Sequence, residues 1–287
     1  MWFVFAFATA VIVSFREVFF KGKLRDPEES GYSLIWGSSS VATILLLPVI
    51  IFLGFPEIKQ EFIIFLIIGG ILSVVTATTA TRALKKSDIS LVAPMSTFTP
   101  LFLLGISPLI TGEFPNAFGF FGVLLITFGS YVLNIEMRHE HWTAPFKALL
   151  KNEGPRLMLF VAFVWSITSS IDKIGVKASY PLFWVFALNM ATAVFLLPFV
   201  YKKINKQYFI KNFKTISIMG SFTAVAISLQ MVAISMTLVA YVIAIKRLGV
   251  VMTVFMGGLI FKEKGLKERL LGSAIMVAGV IFIAILG

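Results

Sequence analysis

The run LVAYVIAIKRLGVVMTVFMGGLIFKEK, Leu238 to Lys264, is apolar for long enough to cross a bilayer, yet it carries Lys246 and Arg247 in its interior. Lys246 lies eight residues past Leu238, roughly 12 Å into a helix rising ~1.5 Å per residue. A lone charge at membrane depth costs about 2.5–3.5 kcal/mol even on a lenient scale, so neither cation is expected to face lipid. Adjacent helical residues point about 100° apart, so the pair serves either one wide cavity or two separate partners. Two readings stand side by side. The cations form a site on a transport path, or they snorkel to an interface or neutralise Asp/Glu on a neighbouring helix.

The rest of the chain is of the same kind. Of 287 residues 58% are hydrophobic and only 14% charged, more apolar surface than a soluble domain of this length can bury. Apolar runs of about 20 residues predict ten spans, at 1–20, 33–54, 62–83, 88–110, 115–135, 157–178, 182–201, 215–236, 238–260 and 268–286. The fold class is therefore an all-α polytopic membrane protein. No basic leader precedes Met1–Phe20, which reads as a retained span. With no Cys, disulfide and thiolate chemistry are excluded.

The net charge of +11 would suggest nucleic acid only in a soluble protein. Here 19 of the 25 Lys and Arg fall in the odd-numbered loops, while the even-numbered loops hold only Lys59 and Lys177. That bias places the odd loops in the cytoplasm and both termini outside. The longest connector, 136–156, is read as a cytoplasmic linker; Thr143 is placed to cap a surface helix carrying Phe146, Leu149 and Leu150. Its His139 and His141 have no companion ligands, so no metal site and no cofactor are expected.

The chain also repeats. Tyr32-Ser33-Leu34-Ile35-Trp36 matches Tyr180-Pro181-Leu182-Phe183-Trp184, and Leu46-Leu47-Pro48 matches Leu196-Leu197-Pro198. Leu91-Val92-Ala93 matches Leu238-Val239-Ala240. Glu113, Gly122 and Gly129 recur as Glu263, Gly272 and Gly279. Residues 1–135 and 157–287 thus read as two five-helix halves. An odd number of spans per half inverts the second relative to the first, an architecture of transporters with a site near the midplane.

Charges inside spans are the next candidates. Arg16-Glu17 in span one aligns with Asp172-Lys173 in span six, in opposite order of sign. These four read as gating or coupling groups, or as pairs that hold the halves together. Glu113 and Glu263 stand just before spans five and ten, where a carboxylate suits a helix N-terminus, and read as structural. Gly122, Gly129, Gly272 and Gly279 read as close-packing positions, as does the four-residue series Gly69, Ser73, Ala77 and Thr81. Pro48, Pro94, Pro100, Pro108 and Pro198 are placed to kink helices around a cavity. Thr76, Thr78, Thr79, Ser228 and Gln230 are candidates for a polar path.

Ten spans, inverted halves and a Glu followed at nine and sixteen residues by Gly in each half make the chain resemble the drug/metabolite transporter superfamily, in its two-repeat EamA-type branch. The resemblance covers about 1–135 and 156–286. It implies ten helices around a central cavity, alternating access and movement of small metabolites. Lys246-Arg247 look like the late Lys-Arg pair with which the triose-phosphate and nucleotide-sugar branch engages substrate phosphate. Glu17-Val18 with Lys21 is similar to the proton-coupled Glu region of small multidrug transporters, although Arg16 departs from it. Relatives usually keep both termini in the cytoplasm, another departure.

The expected function is secondary-active transport of a small, anionic metabolite, with Lys246, Arg247 and Gln230 binding substrate in a plasma (inner) membrane. The alternative is a proton-coupled exporter of amino acids or lipophilic compounds that uses Glu17. A multispan enzyme or channel is more remote, since no span holds His or Cys and the loops leave no room for a catalytic domain. Expected partners are the substrate and the bilayer, not nucleic acid.

Overall fold

The computed structural model describes residues 1–20, 31–87, 89–136, 147, 151–201, 206–252 and 270–287. Its elements are α1 (Trp2–Phe20), α2 (Gly31–Leu53), α3 (Gln60–Lys86), α4 (Ile89–Ser96), α5 (Thr99–Thr111), α6 (Ala117–Glu136), α7 (Glu153–Lys177), α8 (Pro181–Val200), α9 (Lys206–Met236), α10 (Val239–Lys246) and α11 (Leu270–Ile281). A π-helical turn, Phe282–Leu286, continues α11. The described residues contain no strand. Six of the described helices are long and apolar enough to cross a membrane, and three shorter apolar ones accompany them. Large apolar side chains such as Ile51, Phe52, Ile64 and Phe199 are exposed, as lipid-facing positions require.

The halves interlock. α1 packs on α9 and α3 on α7; α2 packs on α9 and α3 on α8. Swapping the halves (α1 for α7, α2 for α8, α3 for α9) turns each of these contacts into another of the set. α2 with α8 and α6 with α11 map onto themselves. Each half therefore buries its apolar stripes mainly against the other, which is how an inverted repeat makes one core.

The symmetry reaches single residues. A Cβ on Gly122 would lie 2.8 Å from the Gly279 carbonyl oxygen, and one on Gly129 would lie 2.7 Å from that of Gly272. Exchange of the halves converts the first contact into the second. Likewise Gly220 faces Val41 while Gly70 faces Ala191, with would-be Cβ distances of 2.5 and 3.1 Å. Small residues are used here for close backbone approach between helices.

Loop contacts fix which ends share a face. Tyr180 Oη donates to Gly54 O at 2.8 Å, Lys177 Nζ to Glu113 Oε1 at 3.1 Å, and Asn116 Nδ2 to Leu286 O at 2.8 Å. These join the loops after spans two, four and six to the C-terminus. On the opposite face Arg82 and Lys86 pair with Glu153, the latter at 3.2 Å. The alternation expected from the loop charges is thus the alternation of the fold.

Three segments differ from the expected spans. The helix expected at 215–236 begins at Lys206, so the cationic stretch before it is helical. The span expected at 88–110 is two helices with a break at Thr97 and Phe98, and α10 ends at Lys246 in the middle of the span expected at 238–260. Pro100 explains the first break. Its nitrogen has no hydrogen, so the Ser96 carbonyl, four residues earlier, loses its helical partner. Thr97 Oγ1 and Thr99 Oγ1 then bond back to Pro94 O and Ser96 O, at 2.7 and 3.0 Å.

Candidate substrate site

The two interrupted helices place the cations. Lys246 is the last residue of α10, and its Nζ donates to Gln230 Oε1 on α9 at 2.7 Å. Arg247 follows at the break, and its Nη2 donates to Ser96 O at 2.8 Å. Ser96 is the last residue of α4. Each cation therefore sits at the carboxyl end of a half-helix, one from each repeat, where the helix dipole is negative. That is a physical reason for two adjacent cations to be tolerated at this depth. Both are half-buried, and they serve separate partners, the second of the two arrangements open to adjacent residues.

Asp172 is the acidic residue of this cluster. It is 7% exposed, on α7, and the Lys246 charge acts on it. Its Oδ1 accepts from the indole Nε1 of Trp184 at 2.8 Å. Trp184 is fully buried and lies over α7 one turn from Asp172, where a Cβ on Gly175 would sit 2.2 Å from the ring. Phe62 of the other half meets the same ring edge-on at 5.5 Å. The cluster Lys246–Gln230–Asp172–Trp184 thus draws on α7, α8, α9 and α10, with a wall supplied by α3.

Lys173, the next residue, turns to a different place. Its Nζ donates to Ile234 O and Thr237 O at 2.7 and 2.8 Å, at the carboxyl end of α9, and pairs with Glu113 Oε1 at 3.3 Å. Gly112 ends α5 in the left-handed region (φ 71°), a conformation glycine adopts without steric cost, and so turns Glu113 into the loop beside Lys173 and Lys177. Asp172 and Lys173, adjacent in sequence, therefore serve different partners, the Trp184 indole and the Glu113 clasp respectively.

Other sequence candidates separate as follows. Arg16 is half-buried near the end of α1; Glu17 belongs to the same helix, but its side chain lies outside the described residues. Glu263, His139, His141, Thr143, Phe146, Leu149 and Leu150 also lie outside them. Thr76 and Thr78 donate to carbonyls of their own helix, so they satisfy themselves rather than open a wet path. Among the described residues no group of three or more His, Cys, Asp or Glu is arranged to hold a metal ion. Trp184 and the Ser96 carbonyl were missed as site groups. The signals were present: a buried indole needs an acceptor, and Pro100 strips a carbonyl.

Comparison with known proteins bears on the fold and the family. No curated protein matches the sequence. A solved structure described only as the crystal structure of a protein covers 100% of this chain and 99% of its own, with TM-score 0.78 and 13% sequence identity. At that identity the likeness is one of fold. The model of the EamA-like transporter family matches residues 1–135 and 153–285, which is one match to each half. The chain is a multi-pass membrane protein of two inverted five-helix repeats, and it belongs to the EamA-like transporter family.

Proposed function

We infer that this transporter is a secondary-active carrier of a small anionic metabolite in the plasma (inner) membrane. Lys246 and Arg247 bind the anionic group and Gln230 positions it, while the two repeats give alternating access. The observation that carries the reading is the bond from Lys246 to the neutral amide of Gln230, 2.7 Å, at the meeting point of both interrupted helices. An incoming carboxylate or phosphate can take over that amide's place and meet two cations already desolvated. Asp172, held by Trp184, is the acidic group on which the Lys246 charge acts in the empty site.

Gating and coupling fall to Arg16, Glu17, Asp172 and Lys173. Lys173 and Lys177 of the second repeat hold Glu113 of the first, a clasp between halves at the end with few cationic loops. By the loop charges that end is the outer one. Opening to the outside requires the clasp to part, and substrate binding at the midplane favours whichever state meets it best.

The test is thermal stability of the detergent-purified protein against a panel of metabolites, repeated in Lys246→Gln/Arg247→Gln. Ligands that bind the folded state raise its melting temperature by mass action. Stabilisation by phosphorylated or carboxylated compounds, lost in the double variant along with uptake into proteoliposomes, is the expected result. Stabilisation only by neutral or cationic compounds, unchanged in the variant, overturns it and favours proton-coupled export through Glu17.

A further inference from the structure

The cationic start of α9 has no part in the transport reading. Lys211 and Lys214 are exposed, and both are helical. A cavity of about 370 Å³ opens just beyond them, between α1 and α9, lined by Ile12, Ser217, Ile218, Ser221, Phe222 and Val225. Its walls are apolar apart from the two serines, and Ser221 already donates to Ser217 O at 2.9 Å. Val225 is 50% exposed, so the groove opens on the lipid-facing surface.

Helix geometry ties the lysines to the groove. At about 100° per residue, Lys214 and Lys211 both fall within roughly 45° of Ile218 on the face of α9. Lys214 is one turn below Ile218 and Lys211 about two, so the ammonium groups stand at one mouth of the groove. On α1, Arg16 follows Ile12 by one turn. The far end is closed where Thr9 Oγ1 approaches Ala226 O at 3.4 Å. The result is a blind apolar slot in the bilayer, open to lipid along its side, with positive charge at its interfacial mouth.

We propose that this groove binds one acidic phospholipid of the leaflet next to the cation-rich loops, its acyl chain in the slot and its phosphate on Lys211 and Lys214. A zwitterionic lipid can fill the slot equally well. It gains nothing net from the lysines, because its own ammonium offsets its phosphate. Basic residues at the interface between transmembrane helices are a physical basis for selecting acidic headgroups. The occupant also bridges α1 to α9, one helix from each half, so its binding is felt as stability of the inter-half contact.

The experiment is native mass spectrometry and melting of the purified protein with dioleoyl phosphatidylglycerol, dioleoyl phosphatidylcholine or glycerol phosphate. Phosphatidylglycerol should bind roughly 10- to 30-fold more tightly than phosphatidylcholine, the worth of two interfacial lysines. Lys211→Gln/Lys214→Gln should bring the two lipids within about twofold. Ser221→Trp, on an exposed position, fills the slot and should weaken both lipids while the charges remain. Equal binding of the two lipids by the native protein overturns the proposal. So does a preference that survives the lysine changes, affinity for both lipids that is unchanged in Ser221→Trp, or glycerol phosphate binding as tightly as the lipid.

Discussion

Arg247 of the second repeat donates to the main-chain carbonyl of Ser96 in the first, across 2.8 Å. The same carbonyl also accepts from Thr99 Oγ1 at 3.0 Å, and Pro100 has no N–H to offer it. Replacing Pro100 with Ala gives that carbonyl a helical N–H and lets α4 and α5 join. The expected outcome is a gain of ~1 kcal/mol, the worth of one backbone bond, together with slower transport as Arg247 loses its seat. Melting temperature and uptake, read on the same preparation, check it. A variant with unchanged stability and unchanged transport would show that the break owes nothing to Pro100.

The charges of Lys246 and Asp172 predict a compensation. Lys246→Met breaks the bond to Gln230 and removes a charge that acts on Asp172, and should cost about 1–3 kcal/mol. Adding Asp172→Asn should return part of that loss, a coupling of roughly 0.5–3 kcal/mol in a double-mutant cycle. Transport should fail in both variants, since the site has gone. Additive losses in the cycle would mean that the two groups do not sense each other.

The clasp at the other end predicts exposure. The chain has no cysteine, so Thr237→Cys gives one labelling site beside Lys173 without further engineering. Lys173→Gln loses a 5% exposed ammonium that serves Glu113 and two carbonyls, a change expected to cost about 3–5 kcal/mol. Impermeant maleimide should label the introduced thiol faster in that background, and faster in Glu113→Gln as well. A rate that stays at the parent's value in both would remove the clasp from the gate.

Trp184 predicts a steric test. Gly175→Ala puts a methyl group within 2.2 Å of its ring and displaces the indole from Asp172. Overpacking of this kind costs about 1–3 kcal/mol, and tryptophan fluorescence should shift with it. Gly105→Ala, with nothing within 4 Å, is the control and should be neutral or stabilise by up to about 1 kcal/mol.

Much of the fold was legible because its signals are local. Lengths of apolar runs gave the spans, loop lysines gave the alternation of ends, and paired glycines gave the repeat. The broken helices were not read, although Pro94 and Pro100 were noted, because a span-length apolar run looks the same whether or not one carbonyl in it has lost its helical partner. At the site, Lys246, Arg247, Gln230 and Asp172 were picked out by charge or polarity at membrane depth. Their sorting was not, since Asp172 and Lys173 are neighbours that reach different partners. That division depends on which helices of the other half stand opposite, and no local pattern encodes it.

The glycine seam between α6 and α11 has a mechanical meaning. Gly122 against Gly279 and Gly129 against Gly272 bring main chain to main chain, with the side chains of Ile283, Met276 and Ile126 packed beside the contacts. A slide of one helix along the other would drive a neighbouring Cβ into a carbonyl. The seam resists translation while leaving a tilt about its own line open, so it is an axle. Because its two contacts are images of each other, the axle passes through the centre of the pseudo-symmetry, and two halves rocking about it would trade places at either end.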